Sequence, residues 1–128
     1  VTYDIRMKLP NNPEEDYLPN GAMHTIEHLF ATYARNTKYS DDIVYVGPMG
    51  CRTGFYLILS GESTAEEIKP LMRDLFKFIS DFEGDIPGAT PVECGNYSDM
   101  DLPAAKARAA GYAALLQAQA AAAKDPAL

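Results

Sequence analysis

Three features are missing from this chain of 128 residues, and each absence excludes a class of protein. No apolar run approaches the length that crosses a bilayer, which excludes a membrane-spanning protein. Lys and Arg do not cluster, and a net charge of -7 disfavours nucleic acid or an anionic membrane as a partner. Cysteine occurs only twice, without disulfide-dense spacing or an N-terminal signal pattern, which indicates a reducing, cytoplasmic setting.

The remaining composition is that of an ordinary globular protein, with 47% apolar and 23% charged residues. The length suits one domain, so we expect a single domain over residues 1–128. An Ala-rich helix or tail occupies residues 103–128 of it. Because the sequence begins with Val1 rather than Met, we also expect that an N-terminal segment is missing from this chain.

Hydrophobic periodicity predicts the order of the secondary structure elements. Residues 2–9 alternate as a half-buried strand, and residues 22–35 carry a helical apolar stripe. Two short β-branched and aromatic runs follow at 43–46 and 54–60. A capping box that begins at Ser63 then opens an amphipathic helix. This order predicts an α+β domain in which helices cover a mainly antiparallel sheet.

The segment HTIEH at residues 24–28 is the main functional signal. It places His24 and His28 at positions i and i+4 of a helix, close enough to bind one ion, and on the side away from the apolar stripe. Either histidine alone would be read as a solvated side chain. They are the only two histidines of the chain and lie one turn apart, so the pattern predicts a metal site.

Two nitrogen ligands do not complete a metal site. The candidates for a third ligand are Cys94, Cys51 or a carboxylate. A site of two His and one Cys with an open position is typical of catalytic metal centres, whereas structural zinc normally has four protein ligands. Thiolate and imidazole together suit zinc or iron.

Four further residues are candidates for acid/base catalysis or substrate binding beside the metal. Glu27, between the two histidines, is suited to act as a general base, or it is an ordinary solvent-facing glutamate. Cys51 lies in a Gly-flanked turn, as either an inert buried thiol or an acid/base group whose pKa a nearby cation lowers. Arg6 and Arg35 are candidates for binding a substrate carboxylate or hydroxyl groups, or are ordinary surface charges.

Three motifs together resemble the S-ribosylhomocysteine lyase family, the enzymes that make the precursor of autoinducer-2, a quorum-sensing signal. They are HTIEHL at residues 24–29, PMGCRTGFY at 48–56 and ECG at 93–95. The resemblance covers residues 3–102, and the middle motif is the specific one. Members of this family usually have a further upstream segment, in line with the expectation that one is missing here.

The resemblance implies an activity, a metal and an assembly. The reaction is cleavage of the thioether of S-ribosylhomocysteine to homocysteine and 4,5-dihydroxy-2,3-pentanedione, with Cys51 and Glu27 moving protons. The metal site is His24, His28 and Cys94, with ferrous iron as the native ion and zinc or cobalt as substitutes. The assembly is a homodimer with pockets built from both protomers, and Arg6 is the candidate for reaching into the partner's site.

Two other functions stay open at this point. The pattern H-x-x-E-H is also the inverzincin metallopeptidase signature, which needs a distant Glu as third ligand and leaves both cysteines without a role. A non-catalytic metal-binding domain is the other alternative. The identity of the third ligand separates the peptidase from the lyase, and a turnover assay separates the lyase from the non-catalytic domain.

Overall fold

The described part of the chain forms a three-stranded sheet with three helices, which confirms the predicted α+β class. The computed structural model describes residues 1–7, 18–89 and 97–123. Within these ranges the elements are β1 (Thr2–Arg6), α1 (Asn20–Ala34), β2 (Ile43–Pro48), β3 (Gly54–Leu59), α2 (Ala65–Asp81) and α3 (Leu102–Ala123), with short 3-10 turns at Ser40–Asp42 and Tyr97–Asp99.

The sheet has the strand order β1-β3-β2, and both pairs are antiparallel. Ile5 of β1 lies opposite Phe55 of β3, and Val46 of β2 lies opposite Leu57. These four side chains are buried in one core with residues of all three helices. Ile5, which lies on the apolar side of the alternation that predicted β1, therefore marks the face of the sheet that the helices cover.

β1 and β3 approach each other very closely at Gly54. A Cβ atom at this position would collide with the carbonyl oxygen of Ile5, so only glycine permits the approach. Arg6 is paired with Gly54 in the register, and the N–H of Met7 donates to the carbonyl of Thr53 over 2.9 Å. The end of β1 is thereby fixed against the turn that precedes β3.

The apolar stripe of α1 is confirmed, since Ile26, Leu29 and Phe30 are fully buried. The predicted cap of α2 was wrong by one residue. The N-cap is Thr64, whose hydroxyl accepts from the N–H of Glu67 over 3.3 Å. The hydroxyl of Ser63 instead bonds the hydroxyl of Tyr3 on β1.

The many alanines of α3 allow it to lie close to the other two helices, against which it packs. Ala105 and Ala109 are fully buried, and the ring of Tyr112 meets that of Phe76 edge-on with centroids 4.7 Å apart. The far end of the predicted Ala-rich segment, residues 124–128, lies outside the described residues. In the described ranges, no helix combines the length and the apolar character needed to cross a membrane.

Candidate metal centre

Helix α1 brings His24, Glu27 and His28 together at its surface. The ring centroids of the two histidines are 4.9 Å apart, and one potential ligand atom from each of the three residues lies within 4.8 Å of the others. All three side chains are partly buried. Their spacing is that of a group that can hold one metal ion, which the sequence predicted for the two histidines but not for Glu27.

A main-chain carbonyl fixes the ring of His28. Its Nδ1 lies 2.8 Å from the carbonyl oxygen of Pro87, in the turn that follows α2. Because a carbonyl only accepts, the hydrogen belongs on Nδ1, and the lone pair of the neutral ring is then on Nε2. This is the arrangement in which a second hydrogen bond orients a metal-binding imidazole.

The carboxylate of Asp99 lies beside Nδ1 of His24, as the carbonyl of Pro87 lies beside Nδ1 of His28, and the distance to Asp99 Oδ2 is 3.4 Å. Two contacts hold the segment of Asp99 against α1. The fully buried hydroxyl of Thr25 donates to the carbonyl of Gly21 and accepts from the N–H of Asp101, both over 2.8 Å. A Cβ atom on Gly21 would lie 2.6 Å from the carbonyl oxygen of Asp99, so this glycine makes room for the segment.

Cys94, the predicted third ligand, lies outside the described residues. The chain on either side of it contacts the two histidines, since Pro87 precedes it and bonds His28, and Asp99 follows it and lies beside His24. The donor set suits a divalent transition metal because two oriented imidazoles are present. Cys94 as ligand stays a prediction.

Cys51 lies in the turn between β2 and β3, and its side chain is exposed. The interpretation as a buried inert thiol was therefore wrong. The turn is anchored by Met49, which is 2% exposed and whose carbonyl accepts from the N–H of Arg52 over 3.0 Å. Arg52 has φ 61°, a left-handed conformation that is uncommon for residues other than glycine, asparagine and aspartate and that clusters at functional sites.

A hydroxyl and a cation act on the thiol of Cys51. Its Sγ lies 3.0 Å from Thr53 Oγ1, and Arg6 Nη1 donates to the same hydroxyl over 2.8 Å. The hydrogen bond with the Thr53 side chain lowers the pKa of Cys51, and the positive charge of Arg6 acts in the same direction. The cation expected near this thiol is thus Arg6 of the same chain.

Two cavities flank the histidine helix. One, of about 560 Å³, is lined by His24, Glu27 and the two neighbours of Cys51, Gly50 and Arg52. The other, of about 480 Å³, is lined among others by Glu27, His28 and Arg35. Both volumes suit a small-molecule ligand. Glu27 borders both cavities, and Arg35 as a substrate-binding residue stays a prediction.

Three contributors to this site were missed from the sequence. The carbonyl of Pro87 carries no side-chain signal, and Asp99 is one acid among 18 Asp and Glu residues. Thr53 stands two residues after Cys51, within the PMGCRTGFY motif that the sequence analysis identified. Its hydroxyl could therefore have been predicted as a partner of the thiol. The contacts of Pro87 and Asp99 with the two histidines become visible only with the fold.

Comparison with known proteins gives a family model and relatives that all carry the name of one enzyme. Residues 1–123 match the family model described as S-Ribosylhomocysteinase (LuxS). The S-ribosylhomocysteine lyases of Clostridium acetobutylicum, Clostridium beijerinckii and Phocaeicola vulgatus are 53%, 58% and 56% identical over 117, 107 and 113 residues. These alignments cover 91%, 83% and 88% of this chain and 73%, 66% and 69% of the respective relatives.

Proposed function

Because the chain belongs to the S-ribosylhomocysteinase (LuxS) family, we propose that it cleaves the thioether of S-ribosylhomocysteine, releasing homocysteine and 4,5-dihydroxy-2,3-pentanedione. The observation that carries the proposal is the group His24, Glu27 and His28, which shares a cavity with the turn of Cys51. The comparisons give no support to a metallopeptidase or a non-catalytic domain. A reducing cytoplasm is the proposed setting.

We propose that His24, His28 and Cys94 hold one divalent ion, ferrous iron in the native protein, with zinc or cobalt as substitutes. The two imidazoles fit this role because an acceptor lies beside each Nδ1. When bound, the ion supplies Lewis-acid polarisation of the sugar carbonyl, without electron transfer. The reaction needs no outside oxidant, since the carbonyl only changes position along the sugar.

Glu27 and Cys51 are the proposed proton carriers. Moving the carbonyl from the first to the second and then to the third sugar carbon requires a proton to leave one carbon and another to reach its neighbour. Glu27 lies on the histidine helix and borders both cavities, whereas Cys51 approaches from a separate turn. Two carriers on different elements can serve different faces of the sugar.

Elimination completes the proposed sequence. A base removes the proton of the fourth carbon, a double bond forms between the fourth and fifth carbons, and the carbon-sulfur bond breaks. The sulfur leaves with its electron pair and takes up a proton as homocysteine. The remaining enol becomes the diketone by moving one proton from oxygen to carbon, so atoms and electrons balance. Cys51, with a lowered pKa, is suited to both giving and taking these protons.

The direct test is an anaerobic assay of the iron-loaded chain with S-ribosylhomocysteine. We expect free thiol and dicarbonyl to appear in equal amounts, because each cleaved thioether gives one of each. S-adenosylhomocysteine, in which the ribose has no free aldehyde, is the matched substrate control and should release no thiol. Metal-loaded, folded protein that releases no thiol from S-ribosylhomocysteine would contradict the proposal.

We further propose that a second copy of the chain covers the outer face of the sheet. Tyr45 and Tyr56 point away from the core and are 48% and 37% exposed, and Val44 on the same strand as Tyr45 is 63% exposed. Clustered exposed aromatic and aliphatic side chains are typical of surfaces that bind protein. The family resemblance implies a homodimer, and the outer face of the sheet as its interface is our own proposal from these exposed side chains.

Sedimentation tests the dimer. We expect the chain to sediment as a dimer and Tyr56→Arg to shift it towards monomer, because the substitution would bury an unpaired charge on the covered face. Leu115→Arg, at an apolar position on α3 that is 42% exposed, is the control and should stay dimeric. A fully active chain that sediments only as monomer would exclude the dimer.

A further inference from the structure

The hydroxyl of Thr53 links Arg6 of β1 to Cys51 of the turn. Thr53 is 6% exposed, whereas the thiol of Cys51 is exposed at the surface. Among the described contacts, Arg6 Nη1 donates to Thr53 Oγ1 over 2.8 Å and Cys51 Sγ lies 3.0 Å from the same oxygen. In the part of the chain that the structure describes, the hydrogen-bonded path from the Arg6 guanidinium to the Cys51 sulfur therefore runs through one buried oxygen, Thr53 Oγ1.

The direction of these bonds follows from the chemistry of the groups. A guanidinium only donates, so the Thr53 oxygen accepts from Arg6. A thiolate only accepts, so the Thr53 hydrogen must point to the sulfur whenever Cys51 is deprotonated. Met49 Sδ, 3.6 Å from the same oxygen, is the competing acceptor, and a neutral thioether is the weaker of the two.

Donation from Arg6 polarises the hydroxyl and strengthens the bond that the hydroxyl makes to the thiolate. The backbone holds Thr53 in place for this, because its carbonyl accepts from Met7 and the following Gly54 allows β1 to approach. Among the residues that the structure describes, the other charged or titratable groups around the turn are Asp4, 3.3 Å from Arg6, Arg52 in the turn, and His24, Glu27 and Asp99 across the cavity.

We propose that Thr53 is a positioning residue that stabilises the thiolate of Cys51 and transmits the charge of Arg6 to it. Its importance for turnover rests on the proposed function, in which Cys51 carries protons. The effect of Thr53 on the thiol is independent of the proposed function, because thiolate formation is measurable without any substrate. Failure of the lyase assay and failure of this proposal are therefore distinguishable.

The test is the pH dependence of the rate at which iodoacetamide alkylates Cys51 in the folded chain as purified. Only the thiolate reacts, so the inflection of the profile reports the pKa of the thiol. Trypsin separates Cys51, in the peptide of residues 39–52, from Cys94, in that of residues 78–106, and mass spectrometry follows each alone. Three variants are compared, namely Thr53→Val, Thr53→Ser and Arg6→Met.

We expect Thr53→Val, which keeps the shape but lacks the hydroxyl, to move the inflection to higher pH and to slow alkylation several-fold at neutral pH. Thr53→Ser should keep the wild-type profile because it keeps the donor. An unchanged profile in Thr53→Val, or equal shifts in Thr53→Val and Thr53→Ser, would overturn the proposal, the latter by showing that packing matters rather than the hydroxyl.

Arg6→Met keeps the proposal testable should Thr53→Val not fold. With Thr53 intact, loss of the cation should also raise the inflection, and an unmoved inflection would exclude transmission from Arg6. Where both variants fold, the double variant decides the route. If the inflection shift of the double variant is smaller than the sum of the two single-variant shifts, Arg6 acts through the Thr53 hydroxyl. If the two shifts simply add, transmission through the hydroxyl is overturned.

Discussion

Cys51→Ala is expected to lower the rate of thiol release by a factor on the order of 10² or more, while the bound metal stays at the wild-type level. Cys51 is exposed in a turn, its pKa is lowered by the Thr53 hydrogen bond, and its two neighbours line the cavity that His24 and Glu27 share. Removing the thiol removes a proton carrier and leaves the histidines untouched. The measurement is anaerobic turnover together with metal analysis of the same sample.

Two outcomes would contradict this assignment. If Cys51→Ala loses the metal, Cys51 is a ligand and the roles of the two cysteines must be exchanged. If both metal and rate are unchanged, Cys51 is not in the reaction, and the most specific motif of the family resemblance has no catalytic part here. Cys51→Ser is the companion variant, because its hydroxyl keeps the size of the thiol but is a far weaker acid.

His28→Ala is expected to abolish metal binding and, with it, turnover. Loss of a group that merely supports a ligand costs about 10–100-fold in metal affinity, and loss of the ligand itself should cost more. The carbonyl of Pro87 is 2.8 Å from Nδ1, which leaves Nε2 of His28 as the nitrogen that we expect to bind the metal. Equilibrium titration of the chelated protein with Zn²⁺ measures the affinity directly.

Glu27→Gln is the matched control on the same helix. The carboxylate of Glu27 lies in the same group as the two histidines, so geometry alone does not separate a base from a ligand. As a base, Glu27 is dispensable for affinity, and the Gln variant should bind metal like the wild type and turn over on the order of 10²-fold more slowly. Weak binding in Glu27→Gln, or tight binding in His28→Ala, would contradict the proposed ligand set.

The fold was largely predictable because its elements bury one face each. The alternation in β1 and the apolar stripe of α1 name the buried residues without reference to anything distant in the sequence. The cap of α2 was not predictable to the residue. Ser63 and Thr64 both suit the position, and the choice depends on Tyr3, more than fifty residues earlier, which bonds Ser63.

The site, like the fold, has parts that could be predicted from the sequence and parts that could not. His24 and His28 were predictable as a pair because helix geometry alone brings them together. The supports of these rings come from distant segments, Pro87 after α2 and Asp99 before α3, so their sequence positions carry no sign of the contact. The partner of Arg6 was hidden for a similar reason, since it depends on the close approach of two strands at Gly54.

The central claim, one metal ion per chain used for thioether cleavage, is tested most directly by titrating the chelated chain with ferrous iron under anaerobic conditions while following thiol release from S-ribosylhomocysteine. We predict that the rate rises in proportion to added iron and becomes constant at one ion per chain. Full turnover before any iron is added, or saturated metal binding without thiol release, would contradict the claim.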